Sequence, residues 1–406
     1  MTLTREINQV HPVAAAERVG RVHYAIRDIA VLSEQLTRQG KSIISLNIGD
    51  PVAFDFETPP HLVEAVIKAM RDGRNGYAPS LGVDESLEAI RTDAERQGIR
   101  NIQTTFVTYG VSEAADLCLT GLMNPGESVL TPCPNYPLYS AILAKLGAED
   151  VPYRLDEARG WEPDLDDLAS KITAKTRALV VINPNNPTGA VHSRKTLDGI
   201  IELARRHRLV IISDEIYDRL ILDGTPHTTL AALAPDLPVV TFKGLSKNYV
   251  MPGWRVGWVI VSGPSEVLKD YTEALHRLVR ARLSSNNPMQ YAIRPALEGP
   301  QDHLTEFVQK LRTRRDLTVE LCRQTPRLSC IAPRAAFYAF PKINVSGSDE
   351  EFVRQLLIEK QVLVVHGSGF GSLGAPGHFR IVYLAPEDAL RRAYRAIANF
   401  IQEHDA

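Results

Sequence analysis

Between about residue 105 and residue 263 the chain repeats one pattern: a short, nearly unbroken apolar run that stops at polar or turn residues. The runs are FVTYG, SVLTPCP, ALVVINP, LVIISDE, VVTFKG and GWVIVSG. A run that is apolar at consecutive positions, not alternate ones, predicts a strand buried on both faces. Between them lie SEAADLCLTGLM (112–123) and SRKTLDGIIELARRH (193–207), whose apolar residues recur at helical spacing. Strand alternating with helix predicts an α/β, three-layer sandwich with a mostly parallel central sheet covered on both faces.

The two ends of the chain read differently. TEFVQKLRTRRDLTVELCRQ predicts one long helix, and AFYAFPKI, QVLVVHG and HFRIVYL predict shorter strands. We therefore assign residues 50–300 to a large domain, and 1–49 with 301–406 to a smaller α+β domain built from both chain ends. The basic run RTRRD (312–316) is read as a solvated helix face in preference to an anion patch.

Composition narrows the function. The 406 residues are 44% hydrophobic and 23% charged, with a formal net charge of -2 and both signs interspersed. No global field favours nucleic acid or an anionic membrane, so small-molecule chemistry is expected. No apolar run approaches the ~20 residues of a membrane span. The amino terminus, MTLTREINQVHPVAAAERVG, has no apolar signal core. Cys118, Cys133, Cys322 and Cys330 include no C-x-x-C pair and are too sparse for a disulfide scaffold. A reducing cytoplasm is expected, and no metal site.

Parallel sheets bind ligands at the carboxyl ends of their strands, so the residues after each run carry the chemistry. NPNNPTG (183–189) follows ALVVI, and its Asn and Pro density predicts a rigid turn. SDEIYD (213–218) follows the next run, and an aspartate buried there needs a cationic or protonated partner. Lys247 comes four residues after VVTFK; in a partly dry pocket its pKa falls and its amine becomes a nucleophile. Arg255 is permanently charged and forked, suited to a phosphate or carboxylate. Asp214, Lys247, Arg255 and an Asn turn at one sheet edge fit an aromatic cation with an aldehyde and a phosphate. Pyridoxal 5'-phosphate, bound as a Schiff base, has those features.

NPNNPTG, DEIY and SKNYVMPGWRVGW, in that order, resemble the class I aminotransferases of the fold-type I pyridoxal phosphate enzymes. The resemblance runs from LNIGDP (46–51) through GYAPSLG, YGVSEA and PNYPLY to FRIVYL (379–384). YAIR (24–27), LNIGDP, NPNNPTGAV, DEIYD and GLSK bring it nearest to bacterial alanine aminotransferases.

The resemblance implies a set of roles. Lys247 takes the cofactor's aldehyde and later moves the proton at the substrate α-carbon, and Asp214 faces the pyridine nitrogen. Tyr217 and Asn186 bond the phenolic oxygen, and Tyr136 stacks on the ring. Arg255, Gly110, Val111 and Ser112 hold the phosphate, with Ser246 beside the lysine. Tyr77 matches a tyrosine that reaches over from the neighbouring subunit, which implies a homodimer with shared active sites. Arg380 grips the α-carboxylate of an amino acid or 2-oxo acid, helped by Asn186 and the backbone of Gly49. Tyr24 and Arg27 lie at the substrate entrance, and Arg27, Arg280 and Arg282 are alternatives for binding a second carboxylate.

Two positions depart from the family pattern. Gly244 stands where many relatives have a hydroxyl residue that donates to the phosphate, and His366 where many have proline. HGSGFGSLGAPG (366–377) lacks the spacing of a dinucleotide fingerprint. The leading expectation is a ping-pong aminotransferase using alanine or glutamate with 2-oxoglutarate or pyruvate. The alternatives are a β/γ-eliminating lyase on the same fold and a non-catalytic cofactor-binding regulator.

Overall fold

The computed structural model describes residues 13–22, 25–344, 347–371, 373 and 377–404, with the side chains of 25–28 left out. The chain enters its first strand at β1 (Ile44–Ser45) and then builds an eight-stranded sheet. Its strands are β2 (Ile102–Thr108), β3 (Ser128–Cys133), β4 (Glu149–Asp156), β5 (Glu162–Pro163), β6 (Thr176–Ile182), β7 (Val210–Asp214), β8 (Val239–Gly244) and β9 (Gly257–Ser262). They lie in the order β2-β9-β8-β7-β6-β3-β4-β5. From β8 to β4 neighbouring strands are parallel. β9 runs against both β8 and β2, and β5 runs against β4.

Side-chain alternation sorts these strands between two cores. Leu179 and Val181 of β6 join Val107, Ile211, Val239 and Ile260 on one face. Ala89 and Ile90 of the helix Asp84–Arg96 cover that face, with Leu197 and Ile200 of the helix Arg194–His207. Ala178, Val180 and Ile182 instead join Phe106, Ile212, Val240 and Val259 on the other face. There the helices Val111–Leu122, Leu138–Leu146 and Ser265–Ala281 supply Ala115, Leu143 and Leu275. With both faces dry, consecutive strand residues are apolar, which is the pattern the sequence carries. Each fully buried aliphatic or aromatic side chain contributes about 1.5–3 kcal/mol relative to exposure. The helix Arg194–His207 starts on Ser193, whose Oγ accepts from Thr196 N at 3.2 Å, and ends on basic residues that suit its negative pole.

The rest of the chain forms a third core. β10 (Leu328–Ser329) pairs with β12 (Lys342–Ile343), and β11 (Tyr338–Ala339) pairs with β15 (Phe379–Val382). β13 (Val362–Leu363) lies parallel to β1, and β14 (Val365–His366) antiparallel to β15. Leu46 from the amino-terminal side packs here with Leu356, Ile381, Leu390 and Ile397. The long helix is Asp302–Gln324.

The basic run on that helix is the expected solvated face only in part. Arg314 is 2% exposed, and its guanidinium grips Asp55 with two bonds of 2.7 Å. It also donates to Glu387 Oε1 at 3.2 Å and to Leu384 O. These bonds hold the Asp55 carboxyl down at about 2, against a smaller upward push from burial. A buried guanidinium is tolerated when its donors are satisfied in this way. Only the neighbours Arg312, Thr313 and Asp316 face solvent.

Candidate active site

The carboxyl ends of β2, β3, β6, β7 and β8 share one edge of the sheet, where a cavity of about 510 Å³ opens. Val111, Ser112, Tyr136, Asn186, Asp214, Tyr217, Ser246, Lys247, Arg255, Gly49 and Arg380 all line it. Residues from seven separate stretches of sequence are therefore brought to one space. Gly110 adjoins this lining as the residue before the helix Val111–Leu122.

Lys247 is a buried amine. Its Nζ donates to Gly49 O at 2.7 Å and lies 5.6 Å from the centre of the Phe337 ring. Burial lowers its pKa to about 8, with the charges of Arg380 and Arg255 acting the same way and Asp50 and Asp214 opposing. Asp214 is shifted in the opposite sense. Burial pushes its carboxyl up to about 6, although Tyr139 Oη donates to Oδ2 at 2.8 Å and Ile216 N to Oδ1 at 3.3 Å. A carboxylate kept this dry gains by facing a cation.

The asparagine turn divides its labour. Asn183 Oδ1 accepts from His192 N at 3.0 Å, and Asn185 Oδ1 accepts from Thr188 Oγ1 at 2.8 Å, so both side chains brace the turn. Asn186 faces the cavity and accepts from Arg380 Nη1 at 3.0 Å. Arg380 is 1% exposed, donates to Asn47 O as well, and rests 4.6 Å from the centre of the Tyr338 ring.

Arg255 lies on the exposed rim. It donates to Pro252 O at 2.8 Å and to Tyr109 O at 3.2 Å, beside the amino-terminal end of the helix Val111–Leu122. At Gly110 the φ of +75° disfavours any side chain, and a Cβ there would also press on Arg255 Nη2 at 2.5 Å. Gly244 is also sterically bound: its Cβ would lie 2.8 Å from Val256 O and 3.0 Å from Gly257 Cα. The hydroxyl many relatives carry at that position is thus excluded here by the opposing strand. Val250 and Arg255 take left-handed backbone, at φ 55° and 54°, which is costly for a β-branched valine and sets the loop's path.

Behind the cavity a buried cation ties the same loops together. Lys243 Nζ bonds Asp218 Oδ2 at 2.5 Å and Gln97 Oε1 at 2.6 Å, and lies 3.3 Å from Glu215 Oε2. Asn248 Nδ2 donates to Asp218 Oδ1 at 2.7 Å. Ser213 Oγ, Thr229 Oγ1 and Leu230 N converge on Glu215 Oε1. Burial pushes the Asp218 carboxyl up, but Lys243, His227 and Arg219 outweigh it and hold it well below the usual range.

Four residues here were not legible as site residues: Tyr139, Tyr338, Asn47 and Lys243. Tyr139 had one signal, its place one helical turn after Tyr136. Of the other candidates, Tyr77 is 83% exposed and outside the cavity lining. Arg280 pairs with Glu273, and Arg282 donates to Val107 O and pairs with Glu113, so neither lines the cavity. Tyr24 and the side chain of Arg27 lie outside the described residues.

Taken from the geometry alone, the cavity suits a ligand with a carbonyl for Lys247, a cation for Asp214 and an anion for Arg255. The family model for aminotransferase class I and II matches residues 41–397. The chain belongs to this aminotransferase family. The glutamate-pyruvate aminotransferase AlaA of Haemophilus influenzae is 41% identical over 379 residues, spanning 91% of this chain and 93% of that protein. An alanine aminotransferase of Mycobacterium bovis is 38% identical, spanning 96% and 92%. Among solved structures, an alanine aminotransferase from Pyrococcus furiosus superposes with a TM-score of 0.93 at 41% identity, covering 96% of this chain and all of that one. This aminotransferase therefore has the fold-type I architecture, and the family implies pyridoxal phosphate as its cofactor. The residues present fit that group on the three counts above.

Two measurements check this electrostatic picture. In the cofactor-free protein, acylation of Lys247, followed by peptide mass spectrometry, should rise with pH about a midpoint near 8, because the amine is neutral above that value. A midpoint near the ordinary lysine value of about 10.4 would mean a wet pocket. Lys243→Met should cost about 3–5 kcal/mol in urea unfolding, since it leaves two buried carboxylates without their cation. The wild type's stabilisation from Asp218 is present above the unfolded value of about 4 and is lost as pH falls through the lower folded value. The variant should lose less on that descent.

Proposed function

We propose that this aminotransferase moves an amino group between an L-amino acid, alanine or glutamate, and a 2-oxo acid, pyruvate or 2-oxoglutarate, in a ping-pong cycle. The observation that carries the reading is the opposed tuning of two groups in one cavity. Burial brings the amine of Lys247 down to about 8 and the carboxyl of Asp214 up to about 6. Groups drawn this far from their ordinary values in one cavity support acid–base chemistry there.

When bound, pyridoxal phosphate supplies the aldehyde that receives the amino group and the protonated ring that stabilises charge at the α-carbon. In our reading Lys247 would hold that aldehyde, and its Nζ would be the group that moves the proton at the substrate α-carbon. Asp214, braced by Tyr139, would hold the proton on the pyridine nitrogen. Tyr217 and Asn186 would hydrogen-bond the phenolic oxygen, and Tyr136 would cover the ring. Arg255, Ser246 and the backbone N–H groups of Val111 and Ser112 bind the phosphate. Arg380 grips the α-carboxylate, oriented by Asn186 and Asn47, with Gly49 alongside.

Relatives named for glutamate-pyruvate and alanine transamination support the choice of substrates. The division into residues 50–300 and 1–49 with 301–406 belongs to the same reading, as does placement in the cytoplasm. Among the described residues no helix is long and apolar enough to cross a membrane. Tyr77, exposed in a single chain, suits the proposed homodimer, in which it reaches the partner's phosphate site.

The test is an anaerobic half-reaction. Holoenzyme mixed with L-alanine or L-glutamate and no acceptor should release stoichiometric 2-oxo acid and convert its cofactor to the pyridoxamine form. Continuous release of ammonia would instead indicate elimination. Lys247→Ala should retain the cofactor while losing at least about a thousandfold in turnover, and a wild-type rate in that variant would defeat the assignment.

A further inference from the structure

Tyr338 stands at the start of β11, is 2% exposed, and lines the cavity. Three of its contacts bear on the chemistry. Its Oη lies 2.9 Å from Tyr217 Oη. Its ring face carries the Arg380 guanidinium, with Cζ 4.6 Å from the centre. Its hydroxyl also fills the space beside Gly49, where a Cβ would fall 2.1 Å from it. Gly49 is the residue whose carbonyl accepts the Lys247 amine. One phenol thus adjoins the proposed bonding partner of the cofactor, the carboxylate-binding arginine and the resting place of the lysine.

Two buried hydroxyls at bonding distance hold two protons but make one bond between them. If Tyr338 donates to Tyr217, the Tyr217 proton is left for the cavity; if Tyr217 donates, it is spent on Tyr338. The 2.9 Å contact admits either donor. A phenolic oxygen that accepts from Tyr217, as in the reading above, takes the Tyr217 proton and leaves Tyr338 as the donor between the two hydroxyls.

We propose that Tyr338 is a positioning residue that acts through Tyr217: its hydroxyl donates to Tyr217 Oη and thereby commits the Tyr217 proton to the cofactor's phenolic oxygen. The inference rests on the reading of Tyr217 given above and adds a residue that reading lacks. A hydrogen bond accepted by a donor strengthens its own donation. The Tyr217 proton stabilises the deprotonated form of the bound chromophore, so weaker donation raises the pH midpoint of its absorbance.

Tyr338→Phe removes the hydroxyl and keeps the ring that packs against Arg380. Titrating the absorbance of the resting holoenzyme should show the midpoint raised by about 0.5–1 pH unit, the size expected for one hydrogen bond. In Tyr217→Phe the midpoint should already be raised, and adding Tyr338→Phe should leave it there. A wild-type midpoint in Tyr338→Phe overturns the proposal. So does a shift that persists in full when Tyr217 is already Phe, because Tyr338 then acts by another route. If wild-type holoenzyme absorbs as expected but no amino acid converts it, the proposed reaction fails while the coupling of the two tyrosines is still decided by the titration.

Discussion

The ammonium of Lys243, buried at the end of β8, is the constraint on which the site's geometry depends. Its carboxylate partners are Glu215 and Asp218, and Asn248 completes the cluster. Each is the immediate chain neighbour of a residue that lines the cavity: Glu215 of Asp214, Asp218 of Tyr217, and Asn248 of Lys247. Cavity-facing and rear-facing residues are interleaved along these turns. A charge taken out of water is stable only if its partners hold their places, so the cation that orders the rear set also orders the front one. Turning Lys247 or Tyr217 away from the cavity would mean pulling a buried ion pair apart.

That arrangement explains why the cavity is electrostatically tuned without being fully charged. The rear cluster keeps its own ions because they satisfy one another, whereas Lys247 and Asp214 face a space where burial dominates and pushes both toward neutrality. The same chain segments therefore carry two electrostatic regimes, separated by the thickness of a strand-end turn. A ligand bearing a cation at one end and an electrophilic carbon near the lysine gains from both groups.

The six buried strands were legible because each presents a continuous apolar run to two cores. β4 and β5 were not: EDVPYRLD mixes charged and apolar residues as an outer strand must, and β5 has only two residues. Asp214, Lys247 and Arg255 were legible because charge at a buried strand end demands a partner whatever the fold. Asn47 contributes a backbone carbonyl, which no side chain announces. Tyr338 sits among phenylalanines and reads as core, and its partner Tyr217 is 121 residues away. Arg314 misled for a related reason: its acids, Asp55 and Glu387, come from remote parts of the chain, and local charge density alone cannot reveal burial.

Gly244 and Gly257 face each other across the junction of β8 and β9, and a methyl on Gly244 would enter the backbone space of β9, 3.0 Å from Gly257 Cα. On the Gly257 side the obstruction is the Gly110–Val111 peptide itself. Three segments are thereby stacked at backbone contact: the end of β8, the start of β9 and the turn into the helix Val111–Leu122. In this chain even alanine at either glycine would pry the layers apart. Changes in how the Arg255 end of this pocket is furnished must then come from side chains at its margin, such as Ser112 and Ser246, and not from the stack beneath it.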